Sequence, residues 1–186
     1  QPEGLENLPR HGVLLCPNHA SNWDPVLIGV CLPHNYHLRI MAKEALFHNK
    51  ALAWLIRKLG AFPVTRGTAD IQSVKTAMQV IKDGQNLLIF PEGTTIRNGL
   101  GYVDGLPPHA HSGIAVIGVR SGATLVPVFA DGPKKPFHKH RIIFGKPYTP
   151  VYTGRRGTSE EMQKIADDIL REAYALGGQK VGGEPL

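Results

Sequence analysis

His19 and Asp24 are the two residues of this chain whose types and spacing most clearly suggest chemistry. They lie within the segment Asn-His-Ala-Ser-Asn-Trp-Asp-Pro at residues 18–25. The apolar run at residues 12–16 is typical of a buried strand, and the apolar run at residues 26–30 is typical of a helix. A tight loop between them would bring the imidazole and the carboxylate within hydrogen-bond reach. Such a pair can act as a general base, because the carboxylate fixes the tautomer and stabilises the imidazolium.

Simpler interpretations of the same residues are open. A histidine in a loop is usually a surface residue, and an Asp-Pro pair is usually a helix start, in which the carboxylate accepts from the N–H groups of the first turn. Ser21, two residues after His19, could be a nucleophile, but a serine in such a loop is more often a turn residue. The interpretation as a general base therefore needs a second motif.

The second motif follows another predicted strand, the apolar run at residues 87–90. It reads Pro91, Glu92, Gly93 and Thr94. With both motifs present, the chain resembles the glycerolipid acyltransferases of the 1-acylglycerol-3-phosphate acyltransferase type. Members of that family carry a His, four residues and an Asp in a first block and Phe-Pro-Glu-Gly-Thr in a later one. The resemblance extends over residues 8–150.

The resemblance implies the activity and the substrates. A fatty acyl group would pass from a thioester, acyl-CoA or acyl carrier protein, to the free hydroxyl of 1-acylglycerol 3-phosphate, giving phosphatidic acid. The thioester is a co-substrate, and no other cofactor is implied. His19 would be the base and Asp24 its orienting partner, with no protein nucleophile.

The resemblance also implies which residues bind substrate. Arg66 matches a second block, where a guanidinium would hold the acceptor phosphate through paired hydrogen bonds. Glu92, Gly93 and Thr94 match the third block, where Gly93 would let the backbone approach the substrate and Glu92 would orient a hydroxyl or neighbouring groups. Lys43 is a further phosphate candidate, with a solvated surface position as its alternative.

Two positions depart from the family pattern. The family commonly has Arg directly after Glu-Gly-Thr, whereas this chain has Thr95, and Arg97 is the next cation. A lysine that usually follows the third block is replaced by His111, which makes part of the positive charge of the site depend on pH. The apolar residues 126–128 resemble a fourth block and belong either to the core or to an acyl-chain contact.

Strand and helix patterns alternate along the chain and position these residues. Helical spacing or caps predict helices within residues 26–30, 43–59, 70–84, 112–122 and 158–176, and apolar runs predict strands between them. This alternation predicts a single α/β domain over residues 1–186, with a mostly parallel sheet flanked by helices. The carboxyl ends of parallel strands share one edge, so His19, Lys43, Arg66 and Glu92 are expected on one rim.

The composition of the chain indicates which kinds of partner it can bind. The 186 residues are 42% hydrophobic and carry a formal charge of +6, which favours anionic partners such as phosphate esters or acidic lipid surfaces. The absence of a basic run or nucleic-acid motif disfavours nucleic acid. The resemblance implies a protein on the cytoplasmic face of a membrane, either peripheral or anchored by a membrane-attaching segment missing before Gln1. The predicted helix at residues 46–59 is apolar on more than one side, so it belongs to the core, lines an acyl tunnel or dips into lipid.

Alternative functions use the same residues differently. A different acceptor, such as glycerol 3-phosphate or another lysophospholipid, would keep the reaction type. A thioesterase would use His19 to activate water, and a non-catalytic module would bind anionic lipid through Arg66 and general charge. A metal site at the His109/His111 or His138/His140 pairs is disfavoured, because acidic or cysteine ligands at metal spacing are missing. Cys16 and Cys31 are expected to be free and buried.

Overall fold

The computed structural model describes residues 2–64, 71–95, 109–132, 140–181 and 186. Within them one seven-stranded sheet runs in the order β1-β7-β6-β2-β5-β3-β4. Its strands are β1 Pro2–Glu3, β2 Val13–Pro17, β3 Leu38–Lys43, β4 Ala61–Val64, β5 Asn86–Leu88, β6 Thr124–Ala130 and β7 Ile142–Phe144. Every pairing is parallel except that of β6 with β7. The predicted α/β class with a mostly parallel sheet is confirmed.

Helices cover both faces of this sheet. The α-helices are α1 Asp24–Cys31, α2 Lys50–Lys58, α3 Ile71–Lys82, α4 Gly113–Ser121 and α5 Ser159–Leu176. One apolar cluster includes buried residues of α3, α4 and α5, and a second, on the other face, includes Ile28 of α1. Strand β2 contributes alternate residues to the two clusters, because successive side chains of a strand point to opposite faces.

Local signals explain where two of the elements begin or end. Thr158 and Glu161 form the predicted capping box of α5: Thr158 Oγ1 accepts from the N–H of Glu161, and the Glu161 carboxylate accepts from the N–H of Thr158. Gly60 follows α2 with a φ of +85°, and a Cβ at this position would collide with the Leu38 carbonyl. A glycine is therefore required where the chain turns from α2 into β4.

Two predicted elements differ from the structure. The helix expected over residues 43–59 is divided into a short 3-10 helix, Glu44–Phe47, and α2. The division occurs because Asn49 adopts an extended conformation and its side chain caps α2, accepting from the N–H groups of Ala51 and Leu52. Strand β5 ends at Leu88 and not at residue 90, which leaves the last two apolar residues of the run free to enter the following loop.

Candidate active site

The loops that follow β2, β3 and β5 meet at one cleft. The cleft has a volume of about 510 Å³, and its lining includes His19, Lys43, Gly93, Thr94 and Thr95. Strand β5 lies between β2 and β3 in the sheet, so their carboxyl ends are neighbours. Parallel strand direction thus brings together residues that are far apart in sequence.

The His19–Asp24 pair occupies the β2–α1 loop. The imidazole Nδ1 of His19 lies 3.1 Å from Oδ2 of Asp24, whose side chain is fully buried. The same carboxylate oxygen accepts from the N–H groups of Ala20, at 2.8 Å, and Ser21, at 2.7 Å. Hydrogen bonds to a carboxylate are among the stronger ones in proteins, so the loop is held in the shape that orients the ring.

Asp24 differs in one respect from the sequence expectation. Trp23 is the N-cap residue of α1, and Asp24 is the first residue inside the helix. Its Oδ2 atom bonds back to the loop that carries His19. The Asp-Pro pair is therefore more than a helix start, because the aspartate joins the start of α1 to the catalytic candidate.

The other side of the His19 ring is also fixed. The ring stacks on Phe90 with centroids 3.9 Å apart, and its Nε2 atom lies 3.0 Å from Oγ1 of Thr95. The Thr95 hydroxyl also lies 3.1 Å from Oδ1 of Asn22. With Nδ1 donating to Asp24, Nε2 is the ring nitrogen that can accept a proton from a hydroxyl group in the cleft.

Glu92 connects the His19 loop to the C-terminal helix. One carboxylate oxygen accepts from the backbone N–H of His19 at 2.7 Å, and the other accepts from the Tyr174 hydroxyl of α5 at 2.6 Å. Glu92 is only 4% exposed. Burial raises its pKa to about 7, although the hydrogen bonds from Tyr174 and His19 act in the opposite direction. A carboxyl group that titrates near neutral pH thus supports the backbone of His19.

Asn18 anchors the same loop to the sheet. Its side chain donates to the carbonyl of Ala130 at 2.9 Å and accepts from the N–H of Ala130 at 2.7 Å. Asn18 is 3% exposed, and an unpaired amide at such a site would be costly. The paired bonds hold the start of the loop against the end of β6.

Sequence comparison places this chain in a known family. The family model described as Acyltransferase matches residues 1–131. The chain belongs to the acyltransferase family. It is 34% identical over 149 residues to the 1-acyl-sn-glycerol-3-phosphate acyltransferase of Bacillus subtilis, covering 76% of this chain and 70% of that protein. The enzyme of the same name from Streptococcus pneumoniae is 28% identical over 178 residues, which are 92% of this chain but only 62% of that protein.

A solved structure shows the same fold. The 1-acyl-sn-glycerophosphate acyltransferase PlsC from Thermotoga maritima superposes with a TM-score of 0.66 at 24% identity, covering 96% of this chain and 72% of that one. Together, the family match and the relatives identify the chain as an enzyme that transfers acyl groups. The cleft described above is therefore the candidate site of acyl transfer.

Some of the residues predicted to bind substrate line the cleft, and others lie outside the described residues. Lys43 is exposed and lines the cleft together with Gly93 and Thr94. Arg66 and Arg97 lie outside the described residues, so their roles stay predictions. Glu92 is predicted to contact substrate or to orient neighbouring groups. Its carboxylate faces His19 and Tyr174, which favours the second of these roles.

Three further predictions can be compared with the structure. His111 lines the cleft, and a Cβ on Gly93 would lie 2.6 Å from its ring, so the glycine lets the imidazole pack against the third block. Val126 and Val128 are fully buried in the sheet, which favours the core interpretation of the fourth block. Both cysteines are free, but Cys16 is buried whereas Cys31 is only partly so.

Within the described ranges, no cluster of His, Cys, Asp and Glu is arranged to hold a metal ion. In the same part of the chain, no helix is long and apolar enough to cross a bilayer.

Sequence reasoning missed Tyr174 and Asn18. Tyr174 lies 82 residues from its partner Glu92, and Asn18 lies 112 residues from Ala130. Tyr174 is on the buried side of α5, and that periodicity predicts only that the ring is buried. A polar tip on a core-facing tyrosine does need a buried partner, and this is the one signal that could have singled it out.

Proposed function

We propose that this acyltransferase moves a fatty acyl group from a thioester to the free hydroxyl of 1-acylglycerol 3-phosphate, giving phosphatidic acid. The observation that carries the proposal is the His19–Asp24 pair at a cleft in a member of this family. The relatives from Bacillus and Streptococcus bear the name of this activity. The proposal transfers their acceptor to this chain.

The proposed mechanism begins at His19. Its Nε2 atom accepts the proton of the acceptor hydroxyl as the hydroxyl oxygen attacks the thioester carbonyl carbon. Asp24 stabilises the imidazolium through the bond to Nδ1. The carbon–sulfur bond then breaks, and the imidazolium returns its proton to the departing thiolate. The Thr95 hydroxyl, 3.0 Å from Nε2, supports this direction of approach, because a substrate hydroxyl at that distance would be within reach of the base.

Cationic groups at the cleft suit a phosphorylated acceptor. Lys43 lines the cleft directly. We propose that Arg66, which the family pattern implies, and Arg97, the next cation after the third block, add guanidinium groups. A phosphate held by such groups would fix the glycerol backbone, so that only the free hydroxyl reaches His19. The chain carries an excess of positive charge, +6 in total, which also favours an acidic substrate and an acidic surface.

The acyl donor and the location complete the proposal. Acyl-CoA or acyl carrier protein supplies the thioester. The enzyme acts as a peripheral protein on the cytoplasmic face of a membrane. Residues 1–186 form a single acyltransferase domain. Its acceptor and its product are both lipids, so access to a bilayer surface is part of the function.

A second candidate acceptor follows from one observation. Thr95 stands where the family commonly has arginine, and its hydroxyl faces His19. One cation fewer at that position favours a lysophospholipid with a larger or less charged headgroup. This alternative keeps the reaction and the base and changes only the acceptor.

The test is acceptor-dependent release of free thiol from a long-chain acyl-CoA. The acceptors are lysophosphatidic acid, glycerol 3-phosphate, lysophosphatidylcholine and none, and acyl carrier protein loaded with the same acyl chain is a second donor. We expect release that requires lysophosphatidic acid and falls about 10²–10⁴-fold in His19→Ala. The matched control is His34→Ala, since His34 is an exposed loop histidine.

Other outcomes separate the alternatives. Release without any acceptor, lost in His19→Ala, would indicate a thioesterase. Preference for lysophosphatidylcholine would favour the second acceptor class. Acyl transfer that persists unchanged in His19→Ala would contradict the general base.

A further inference from the structure

Helix α2 exposes apolar side chains that the body of the protein does not cover. Trp54 is 61% exposed, Leu55 49%, Leu52 38% and Leu59, just after the helix, 37%. The inward side of α2 is formed by Ala53, which is buried, and Ile56, which is partly buried. The helix therefore rests on the protein through a narrow stripe and turns most of its apolar surface outward.

The exposed leucines are arranged in a row. Leu52, Leu55 and Leu59 follow one another at spacings of three and four residues, which places them on one side of a helix. This row lies beside the buried stripe, so the apolar sector of α2 is wider than its buried sector. A helix that only had to pack on its own domain would carry polar residues in that row.

Positive charges occupy the rest of the exposed side of α2. At 100° per residue, Lys58 lies between Trp54 and Leu55, whereas Lys50 and Arg57 lie on the far side of Trp54 from the leucine row. Lys50, Arg57 and Lys58 are exposed, and residues 50–58 contain no acidic residue. The Lys58 ammonium lies 4.1 Å from the centroid of the Trp54 ring, and the Arg57 guanidinium lies 5.5 Å from that of Phe47. An exposed leucine row and a tryptophan on a helix that also carries several cations are typical of helices that lie in a membrane interface. The charge that complements these cations is negative.

The segment that leads into α2 lines the candidate active site. The 3-10 helix Glu44–Phe47 follows β3 and precedes α2. Lys43 and Leu46 line the cleft, and Leu46 is itself 44% exposed. A lipid passing from a bilayer under α2 would therefore meet an apolar residue and then a cation at the cleft mouth.

We propose that the α2 face, formed by Leu52, Leu55, Leu59 and Trp54 with Lys50, Arg57 and Lys58, docks the enzyme on an anionic bilayer. The proposal rests on the proposed function for its reason to lie beside the cleft. The leucine row enters the boundary between headgroups and acyl chains, the indole lies at headgroup depth, and the cations contact acidic headgroups. In this orientation the cleft mouth faces the lipid from which the acceptor comes.

The first test is direct binding of the full chain to vesicles. The chain has two tryptophans, Trp23 and Trp54, so a Trp23→Phe background makes Trp54 the single fluorophore. With vesicles of phosphatidylcholine and phosphatidylglycerol, we expect the emission of Trp54 to shift to the blue and the protein to sediment with the vesicles. With phosphatidylcholine alone, binding should be much weaker. Emission that stays unchanged while the protein sediments would overturn the proposal.

Two variants assign the binding to this face. Lys50→Gln with Lys58→Gln removes two charges, and at about fivefold per charge the partition coefficient should fall about 25-fold. The control pair is Arg155→Gln with Arg156→Gln, which removes two exposed charges elsewhere and should have a much smaller effect. Leu55→Ser should weaken binding at least severalfold, whereas Val151→Ser, at an 84% exposed position, should not.

Other occupants of the face would give different results. If a second copy of the chain covers it, Leu55→Ser should convert a dimer to a monomer in light scattering and leave vesicle binding unchanged. Equal loss of binding in the Lys50/Lys58 and Arg155/Arg156 pairs would indicate general charge attraction. Either result would overturn the proposal.

Kinetics separate this proposal from the proposed function. Lysophosphatidic acid is supplied either as a short-chain monomer below its micellar concentration or within anionic vesicles. We expect Leu55→Ser to lower the rate on vesicles and to leave the rate on monomers unchanged. If acyl transfer is absent in every condition, the proposed function fails, yet vesicle binding and the Trp54 emission still decide the role of the α2 face.

Discussion

The buried polar network and the α2 face are opposite exceptions to the usual distribution of side chains. The network, formed by Asn18, His19, Asp24, Glu92 and Tyr174, places two carboxyl groups at 0% and 4% exposure. The α2 face leaves a tryptophan 61% exposed. Charged groups are rarely buried unless they are paired, and contiguous apolar surface is rarely exposed unless something binds it.

The two regions differ in what stabilises their side chains. In the network, hydrogen bonds of 2.6 to 3.1 Å satisfy the buried carboxylate oxygens that face His19 and Tyr174. On the α2 face, the leucines and the tryptophan stay 37–61% exposed, so folding buries only part of their apolar surface. The network is thus satisfied inside the protein, whereas the α2 face keeps apolar surface that only a partner outside the protein can bury. The network lines the cleft through His19, and the 3-10 helix that precedes α2 lines it through Leu46.

Asp24→Asn should give the largest effect on the network. The asparagine oxygen can still accept from the N–H groups of Ala20 and Ser21, so the loop should keep its shape. The negative charge beside the imidazolium is lost, and we expect kcat to fall about 10²–10⁴-fold. Steady-state kinetics with saturating acceptor measure this, and circular dichroism checks the fold. A variant with the wild-type kcat would show that the carboxylate does not assist His19.

Glu92→Gln should change how stability depends on pH. The pKa of Glu92 is raised from 4.5 to about 7, so the folded protein binds this proton more tightly than the unfolded chain. This group therefore lowers the free energy of unfolding as pH rises from about 4.5 to about 7 and adds no further slope above that. Glu92→Gln has no such group to titrate, so its free energy of unfolding should not fall in this way. Relative to low pH, the gap between the two free energies of unfolding should grow by about 3 kcal/mol at pH above 7.

Urea unfolding at several pH values, with Glu172→Gln as the exposed control, measures the difference. We expect the free energies of unfolding of wild type and Glu92→Gln to diverge as pH rises from about 4.5 to about 7. Parallel curves would mean that Glu92 titrates normally and that its burial is not costly.

Tyr174→Phe should have an intermediate effect. It removes the hydroxyl that donates to Glu92 in a buried site, at a cost of about 2 kcal/mol in the free energy of unfolding. The lost hydrogen bond also raises the pKa of Glu92 further. If the ionised carboxylate supports His19, the acid limb of the kcat profile should move to higher pH, while KM for the acceptor stays near its wild-type value.

The matched control for Tyr174→Phe is Tyr152→Phe, because Tyr152 is 36% exposed. It should shift neither the unfolding midpoint nor the pH profile. A Tyr174→Phe enzyme that is less stable but has an unchanged pH profile would reduce Tyr174 to a packing residue.

Leu55→Ser should have the smallest effect on the free energy of unfolding of the variants considered. Because Leu55 is half exposed, the free energy of unfolding should fall by only about 1 kcal/mol. Leu170→Ala in α5 is the contrasting variant, since Leu170 is 1% exposed and should cost about 2–5 kcal/mol. A large loss of stability in Leu55→Ser would show that α2 packs more tightly than its exposure indicates.

Local sequence patterns were enough to predict most of the helices and strands and the contact between His19 and Asp24. Apolar periodicity located α3, α4, α5 and the central strands, and the Thr158–Glu161 spacing located the start of α5. These signals could be recognised because they depend on neighbours within a few residues. The spacing of His19 and Asp24 predicted their contact for the same reason, since five residues in a tight loop leave little freedom.

The contacts of Glu92 and the exposure of the α2 face depend on how distant parts of the chain pack together. The bonds from Glu92 to His19 and to Tyr174 join residues 73 and 82 positions apart, and no local pattern encodes which buried polar groups will meet. The exposure of the α2 face was equally beyond the sequence. An apolar helix has the same pattern whether its side chains face a core or a membrane, and only the packing of the other elements determines which side is left uncovered.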